Sequence, residues 1–196
     1  MTRRNGLFRE KAALASAVML LAVTAATLAA PPGWFLAGSR PALYETDVDK
    51  SMTYGGAPSA FLRSKGPVPE GFGTLMQEFA ATEYLGKRVR LGAFVKAEDV
   101  TRWAGLWMRV DKGTKSVSFD NMQNRAIKGS TGWMHYEVVL DVPQDATGMA
   151  FGILLDGPGT VLLNSVKVEM VGQETPVTSM GSPTASKPVN LGFEQK

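Results

Sequence analysis

The stretch from Trp103 to Asp111 has two alternating faces of different chemistry. In an extended strand, successive side chains point to opposite sides, so one face is apolar and meets a core. That face consists of Ala104, Leu106, Met108 and Val110. The other face carries Trp103, Gly105, Trp107, Arg109 and Asp111. Two indoles beside a cation and a carboxylate can line a groove for a sugar or another flat polar ligand, or they can pack against a second sheet.

The candidate ligand-binding residues are polar or aromatic side chains on predicted strands or beside them. Strands hold side chains rigidly, so these groups can offer hydrogen bonds and ring faces to a sugar. They are Arg63, Gln77, Trp107, Arg109, Asp120, Asn121 and His135. Each also has a structural interpretation, in which Trp107 belongs to the core and His135 is an ordinary strand residue. Arg109 would then form an internal ion pair with Asp111 or Asp120.

The sequence gives little support for catalysis. His135 is the only histidine, which excludes an HExxH zinc motif, and cysteine is absent, which excludes thiol chemistry. A GxSxG elbow, a phosphate-binding loop and a dinucleotide-binding glycine pattern are missing as well. We therefore expect no enzymatic activity, no catalytic residue and no metal-ligand set. A carboxylate pair for glycoside hydrolysis is the alternative that the sequence leaves open, because such a pair needs only the correct separation in space.

The positive charge of the chain is confined to its N-terminus. The formal charge is +3, and Arg3, Arg4, Arg9 and Lys11 are opposed there only by Glu10. The remainder of the chain is neutral overall. A nucleic-acid surface needs a clustered excess of Lys and Arg, and no helix-turn-helix pattern is present. We expect no nucleic-acid partner.

The first 30 residues have the organisation of a signal peptide or a membrane anchor. A basic start precedes an uncharged, alanine-rich run over 12–30, which ends in small residues before Pro31. An exported domain without cysteine is typical of bacterial envelopes. The pattern predicts a periplasmic or extracellular location in a bacterium. The alternative is an inner-membrane anchor, because the run is close to the ~20 residues that span a bilayer; only this alternative implies membrane contact.

Short runs with two-residue periodicity recur over 31–171, separated by Gly, Pro, Asp and Lys. This spacing predicts an all-β fold, an antiparallel β-sandwich. The predicted strands are Leu43–Val48, Ser59–Ser64, Gly73–Phe79, Arg88–Lys96, Gly105–Val110, Val117–Phe119, His135–Val142, Ala150–Leu155 and Val161–Met170. The last strand is expected to break near Asn164. Helical turns are predicted only at Ala80–Leu85 and Asp99–Trp103.

The C-terminal part is predicted to be a linker followed by one more strand. Residues 172–188 are rich in Thr, Ser, Pro and Gly, as in a flexible linker. Residues 189–196 alternate again, with Val189, Leu191 and Phe193 on one face. This strand either completes the sandwich or begins a second module. We expect the first, because an unpaired apolar strand promotes aggregation.

Several segments resemble the galactose-binding-like jelly-roll modules of bacterial secreted proteins, an architecture used by many carbohydrate-binding modules. They are Pro32–Phe35, Ala60–Ser64, Phe72–Gln77, Gly86–Leu91, Phe119–Met122 and Gly157–Val161. The resemblance implies a jelly roll and a non-catalytic, exported module that binds a carbohydrate or another cell-envelope ligand. The alternative is a structural or sensory protein-interaction domain with no small-molecule ligand.

The resemblance also raises the question of a structural calcium ion. Modules of this kind often hold one with the help of an Asp pair in the last long strand, and calcium prefers several oxygen ligands. Here Asn164 and Ser165 stand at that place. We therefore expect no cofactor, although Asp47 and Asp49 with backbone carbonyls could still form a calcium site.

Overall fold

A computed structural model describes residues 29–66 and 70–178. The predicted signal or anchor falls outside these residues except for Ala29 and Ala30, and the predicted strand at 189–196 falls outside them entirely. Among the helices of the described part, none has the length and apolar character needed to cross a membrane.

The described residues form an all-β structure, as predicted. The strands are β1 (Phe35–Gly38), β2 (Tyr44–Tyr54), β3 (Ala57–Ser64), β4 (Phe72–Ala80), β5 (Arg88–Lys112), β6 (Lys115–Asp120), β7 (Ile127–Asp141), β8 (Gly148–Asp156) and β9 (Thr160–Val171). Short 3₁₀ turns cover Pro41–Leu43, Ala81–Tyr84 and Gln123–Arg125. The turn at 81–84 lies inside the helical turn predicted at Ala80–Leu85. Strand β1 was not predicted.

Strand β5 belongs to two layers. Its first part pairs with β7 and β9, and its second part, from Trp103 onward, pairs with β8 and β6. The nine strands are hydrogen-bonded into one continuous sheet, which curls into two layers that share β5. We call the layer with the order β1-β4-β8-β5-β6 the first sheet and the layer with the order β2-β3-β9-β5-β7 the second sheet. All of these pairings are antiparallel. This arrangement is the predicted antiparallel β-sandwich of jelly-roll type.

The prediction of a helical turn at Asp99–Trp103 is wrong, because β5 continues through it. A segment this short has little helical stability of its own. The neighbouring strands supply hydrogen-bonding partners instead, since Glu98 pairs with Thr160 and Trp103 with Asp156. The irregularity is a bulge, at which Asp99 adopts a positive φ of 52° and the pairing with β7 shifts.

The core lies between the two sheets and confirms the predicted apolar face of the second half of β5. Ala104, Leu106, Met108 and Val110 are all buried. They join one cluster with residues of both sheets, among them Leu75, Ile153, Leu62 and Leu163. Each of the larger side chains, Val, Leu, Ile or Met, contributes about 1.5–3 kcal/mol when it leaves water, so this contact holds the sheets together.

Strand β9 has the irregularity predicted near Asn164. Ser165 has a positive φ of 51°, and the pairing with β5 shifts between Gly92 and Phe94. The Asn164 side chain is buried, and its Nδ2 lies 3.0 Å from the Ala57 carbonyl oxygen and 2.9 Å from Ser59 Oγ. Asn164 therefore fastens the β2–β3 hairpin to β9.

The first described residues of the predicted linker lie along β7. Arg88 pairs with Asp141 through Nε at 2.8 Å and donates from Nη1 to the carbonyl oxygens of Gln173 and Thr175, both at 2.7 Å. The Thr178 amide donates to the Val139 carbonyl at 2.9 Å. Up to Thr178 the chain is thus held against the edge of the second sheet.

Tyr44 connects the loops at one end of the sandwich, and burial raises the pKa of its hydroxyl. The hydroxyl accepts a hydrogen bond from the Gly157 amide at 3.1 Å and lies 3.2 Å from the Gly71 carbonyl oxygen. A raised folded-state pKa favours the neutral form, so the stabilisation is complete below about pH 10 and is lost as the pH rises through the folded value.

We expect Tyr44→Phe to lower the free energy of unfolding by about 1–2 kcal/mol at pH 7, because the buried Gly157 amide loses its acceptor. The variant should also lose less stability between pH 9 and pH 11 than the wild type. Urea unfolding at several pH values measures both effects. A wild-type alkaline decline that Tyr44→Phe leaves unchanged would contradict the assignment.

Candidate functional site

A trough follows β8 on the face of the first sheet that is turned away from the core. The outward positions of β8 include Gly148, Ala150 and Gly152, which carry little or no side chain. A Cβ on Gly152 would collide with the Leu75 carbonyl oxygen, so glycine is required there. The strands on either side, β4 and β5, carry larger side chains at the paired positions. The rows are Phe72–Asp156–Trp103, Met76–Gly152–Trp107 and Glu78–Ala150–Arg109.

The deeper part of this trough is a groove of about 500 Å³. This size is within the range of small-molecule binding sites. Its lining residues are Gly38, Phe72, Thr74, Met76, Glu78, Trp103, Trp107, Arg109, Phe119, Asn121 and Leu154. The lining is mostly apolar, with a few polar groups at one end and along one side.

Trp107 forms the floor of the groove. Its side chain is 7% exposed and packs with Met76, Ala150 and Leu154. Its Nε1 donates to Thr74 Oγ1 at 2.8 Å, and Thr74 donates in turn to the Ile153 carbonyl at 2.9 Å. The indole N–H is therefore already used inside the protein, and only the ring remains for a ligand. The structural and the ligand-binding interpretation of Trp107 are compatible.

Aromatic rings also form the walls of the groove. Trp103 is half-buried and donates from Nε1 to Asp156 Oδ2 at 3.0 Å, which fixes its ring. Phe72 is 37% exposed and Phe119 is 41% exposed. These exposed rings offer flat apolar surface on both sides of the floor.

Arg109 and Glu78 form the polar end. Arg109 Nε donates to Asp111 Oδ2 at 2.9 Å, and its Nη2 lies 4.0 Å from Glu78 Oε1. The predicted ion pair of Arg109 is thus the one with Asp111 and not the one with Asp120. Because two carboxylates surround this guanidinium, it offers hydrogen-bond donors without a net positive charge.

The turn after β6 forms a further part of the wall, and Asp120 holds it in place. Asp120 is fully buried and accepts two hydrogen bonds from Arg125, at 2.7 and 3.1 Å. It also accepts one from the Met122 amide at 2.9 Å, where Met122 adopts a positive φ of 62°. Gly105 makes room for this turn, since a Cβ there would lie 2.7 Å from the Asn121 carbonyl oxygen. Asn121 is thereby placed at the groove.

Of the residues predicted to bind a ligand, the groove brings together Trp107, Arg109 and Asn121. Asp120 supports the groove from inside the protein and does not line it. Gln77 lies on β4 between Met76 and Glu78, and therefore points to the opposite side of the strand.

Arg63 and His135 lie on the second sheet. Arg63 pairs with Glu45 at 2.5 Å and covers the Phe61 ring at 4.7 Å. The His135 ring contacts the edge of Phe94, with ring centroids 5.2 Å apart. Neither side chain belongs to the groove.

Sequence reasoning missed the wall contributed by β4 and β6. Phe72, Thr74, Met76 and Glu78 alternate along β4, and this period-two signal was visible in the sequence. The alternation does not show which face of β4 lies on the same side of the sheet as Trp103 and Trp107 of β5, because that depends on how β8 pairs with both strands. Phe119 was part of a predicted strand, and its exposure was likewise invisible.

Within the described residues, no three His, Cys, Asp or Glu side chains are grouped as metal ligands. Hydrogen bonds from Ser51, first its hydroxyl and then its amide, lower the pKa of Asp49. The Asp49 carboxylate considered for a calcium site therefore already accepts hydrogen bonds from Ser51. The expected absence of a cofactor stays a prediction.

The fold is that of the carbohydrate-binding β-sandwich modules. A xylan-binding CBM22-1 domain of Paenibacillus barcinonensis Xyn10C superposes with a TM-score of 0.51 at 16% identity, over 73% of this chain and 88% of that one. A CBM 22 xylan-binding domain gives a TM-score of 0.52 at 15% identity, over 72% and 88%. The Stig cyclase Fisc from Fischerella sp. TAU gives 0.51 at 12% identity, over 74% and 88%. Such low identities establish the fold alone.

In sequence, the chain is similar to the uncharacterized HTH-type transcriptional regulator YbfP of Bacillus subtilis, with 44% identity over 168 residues. The aligned part is 84% of this chain, and it spans only 57% of the length of that protein. The chain matches no protein-family model.

This similarity overturns the predicted location. A transcriptional regulator acts on DNA inside the cell, and most of this chain aligns with one. The prediction of a periplasmic or extracellular location, with an inner-membrane anchor as its alternative, is therefore wrong. A basic start followed by an alanine-rich run is a pattern of composition, and composition alone does not determine export.

Proposed function

We propose that this chain is a non-catalytic module that binds a carbohydrate in the groove of the first sheet. The observation that carries the proposal is the arrangement of aromatic rings around an apolar floor with hydrogen-bonding groups at the rim. The C–H faces of a sugar pack on such rings, while its hydroxyl groups need directed donors and acceptors. The xylan-binding domains of the same fold support this interpretation.

Each group at the groove has a definite role in this proposal. Trp107 provides the surface beneath the sugar, and Trp103 and Phe119 enclose it from the sides. Arg109 donates to hydroxyl oxygens, and Asn121 can donate and accept. Since the two carboxylates of Asp111 and Glu78 more than offset the single positive charge of Arg109, this end of the groove does not attract an anionic sugar. We therefore propose an uncharged sugar as the ligand.

The groove residues also support a non-catalytic role. Among the residues that line it, Glu78 is the only one with a carboxylate, and Arg109, whose guanidinium stays protonated, is the only one with a positive charge. Glycoside hydrolysis uses two carboxyl groups that flank the scissile bond. The lone histidine, His135, lies on the second sheet. The cyclase of the same fold shows that this architecture can also be that of an enzyme, so the absence of catalysis is a proposal about this groove.

A second role follows from the similarity to YbfP. We propose that the module works in the cytoplasm as the ligand-sensing part of a regulatory protein. The described residues share their fold with xylan-binding domains. In this proposal the contact with DNA is therefore made by another domain or by a partner. If no glycan of a panel bound to the chain, the result would favour a purely structural or sensory protein-interaction role.

The test of carbohydrate binding is a panel of neutral oligosaccharides that includes xylohexaose, titrated against the full chain by calorimetry and tryptophan fluorescence. We expect Phe119→Ala to weaken binding of the best glycan about tenfold, because a wall ring is lost. Phe35→Ala is the matched control, since Phe35 is 42% exposed on the edge strand of the same sheet and does not line the groove. Equal losses in the two variants, or no binding by the wild type, would contradict the proposal.

A further inference from the structure

Arg109 and Glu78 face each other across the trough. They lie on β5 and β4, and Ala150 of β8 is the paired residue between them. Because alanine is small, the guanidinium extends above it to within 4.0 Å of the carboxylate. The hydrogen bond from Nε to Asp111, at 2.9 Å, holds the guanidinium in this position. We call this pair the Arg109–Glu78 bar.

The trough continues beyond the bar as a second depression of about 350 Å³. Its lining includes Asp111, Thr147 and Gly148. Of all the residues that line the two depressions, only Arg109 and Glu78 are common to both. The bar is therefore the partition between them. The tryptophans lie on one side of it, and the depression on the other side is lined by strand ends and a loop.

The bar limits the length of the aromatic compartment. From the Phe72–Trp103 row to the Glu78–Arg109 row, each strand advances by six residues, or about 20 Å. A long chain that followed the trough past this point would have to cross the guanidinium and the carboxylate. The last residue of a short chain would instead meet them as hydrogen-bonding partners for its hydroxyl groups.

We propose that the Arg109–Glu78 bar sets the length of the ligand, so that the groove binds a short saccharide or the end of a glycan chain and not the middle of a long one. This inference rests on the proposed function, and it concerns the size of the ligand and not the identity of the sugar. It makes Arg109 and Glu78 the residues that determine specificity for length.

The experiment is a titration of the full chain with neutral oligosaccharide series, each from the disaccharide to the hexasaccharide, with xylose-based sugars as one series. For the wild type we expect the affinity to level off at a short length. Replacing both residues of the bar by alanine, Arg109→Ala together with Glu78→Ala, opens the partition, because Asp111 would hold the guanidinium in place if Glu78 alone were removed. In this double variant the affinity for the hexasaccharide relative to the disaccharide should rise about tenfold. Glu78→Gln retains the length of the side chain and should keep the wild-type ratio of hexasaccharide to disaccharide affinity, while the affinity for each sugar is free to change. Exposed ion pairs contribute little to stability, so these variants should fold.

Lys112→Ala is the control. Lys112 lies on β5, as Arg109 does, but it lines neither depression. The substitution removes the exposed ion pair of Lys112 with Asp145. Its length profile should match that of the wild type. A wild-type affinity that keeps rising through the hexasaccharide, or a length profile of the double variant identical to that of the wild type, would overturn the length limit alone. Failure of every sugar to bind would instead contradict the proposed function and remove this inference with it.

Discussion

Replacing Trp107 by alanine is expected to lower the free energy of unfolding by about 4 kcal/mol, as is typical when a buried aromatic side chain is truncated. The indole is 7% exposed and fills the space above Gly152, which has no side chain with which to close the cavity. The change also removes the hydrogen bond that Thr74 Oγ1 accepts from the indole N–H. Urea unfolding followed by circular dichroism measures the loss.

Trp107→Phe is the matched comparison. It keeps an aromatic ring in the floor and removes the hydrogen bond to Thr74, so we expect a loss of about 1 kcal/mol. Losses of equal size in Trp107→Ala and Trp107→Phe would show that the ring does not support the sheet. Because Trp107→Ala alters the fold itself, a loss of glycan binding in that variant says little about contact with the ligand. Phe119→Ala is the cleaner probe.

Arg125→Ala is expected to cost about 3 kcal/mol of folding free energy, because it leaves the Asp120 carboxylate buried without its cation. Asp120 is fully buried, while the Arg125 side chain is 33% exposed and also donates to the Glu137 carbonyl at 3.1 Å. The turn that carries Asn121 loses its support in the same step. We therefore also expect weaker glycan binding, measured on the same panel.

The comparison for Arg125→Ala is Lys112→Ala, which removes an ion pair whose side chains are 57% and 59% exposed. Such pairs contribute about 0–1 kcal/mol. Thermal and urea unfolding of both variants separates the buried pair from the exposed one. If Arg125→Ala were no more destabilising than Lys112→Ala, Asp120 would not depend on Arg125 in the way described.

Sequence patterns identified one wall and the floor of the groove because these depend on a single strand. The alternation from Trp103 to Asp111 correctly separated core residues from outward ones, and Trp107 and Arg109 do lie at the groove. Period-two patterning is local, so it survives in the folded protein.

The opposite wall could not be found in this way because it depends on the pairing of strands that are distant in sequence. Met76 lies opposite Trp107 only because β8 pairs with both β4 and β5 in one register. Residue type alone favoured Gln77 over its neighbours Met76 and Glu78, although a one-residue shift on a strand moves a side chain to the other face.

Asp120 was misjudged for a related reason. Its polar side chain at the end of a strand is typical of a binding residue, but Arg125 lies only five positions further along the chain and turns back to neutralise it. The 3₁₀ turn at Gln123–Arg125 creates this contact, and the composition of the segment does not predict the turn.

The long strand β5 has a consequence for how this protein acquires its structure. Neither sheet is complete without it, since the second sheet needs its first part and the first sheet needs its second part. Its partners include strands far away in sequence, and other pairings join residues as distant as Ala60 and Leu163. Loops of this size must close before their contacts stabilise the chain, which makes folding slow. Because β5 is common to both sheets, both layers should form together as one cooperative unit.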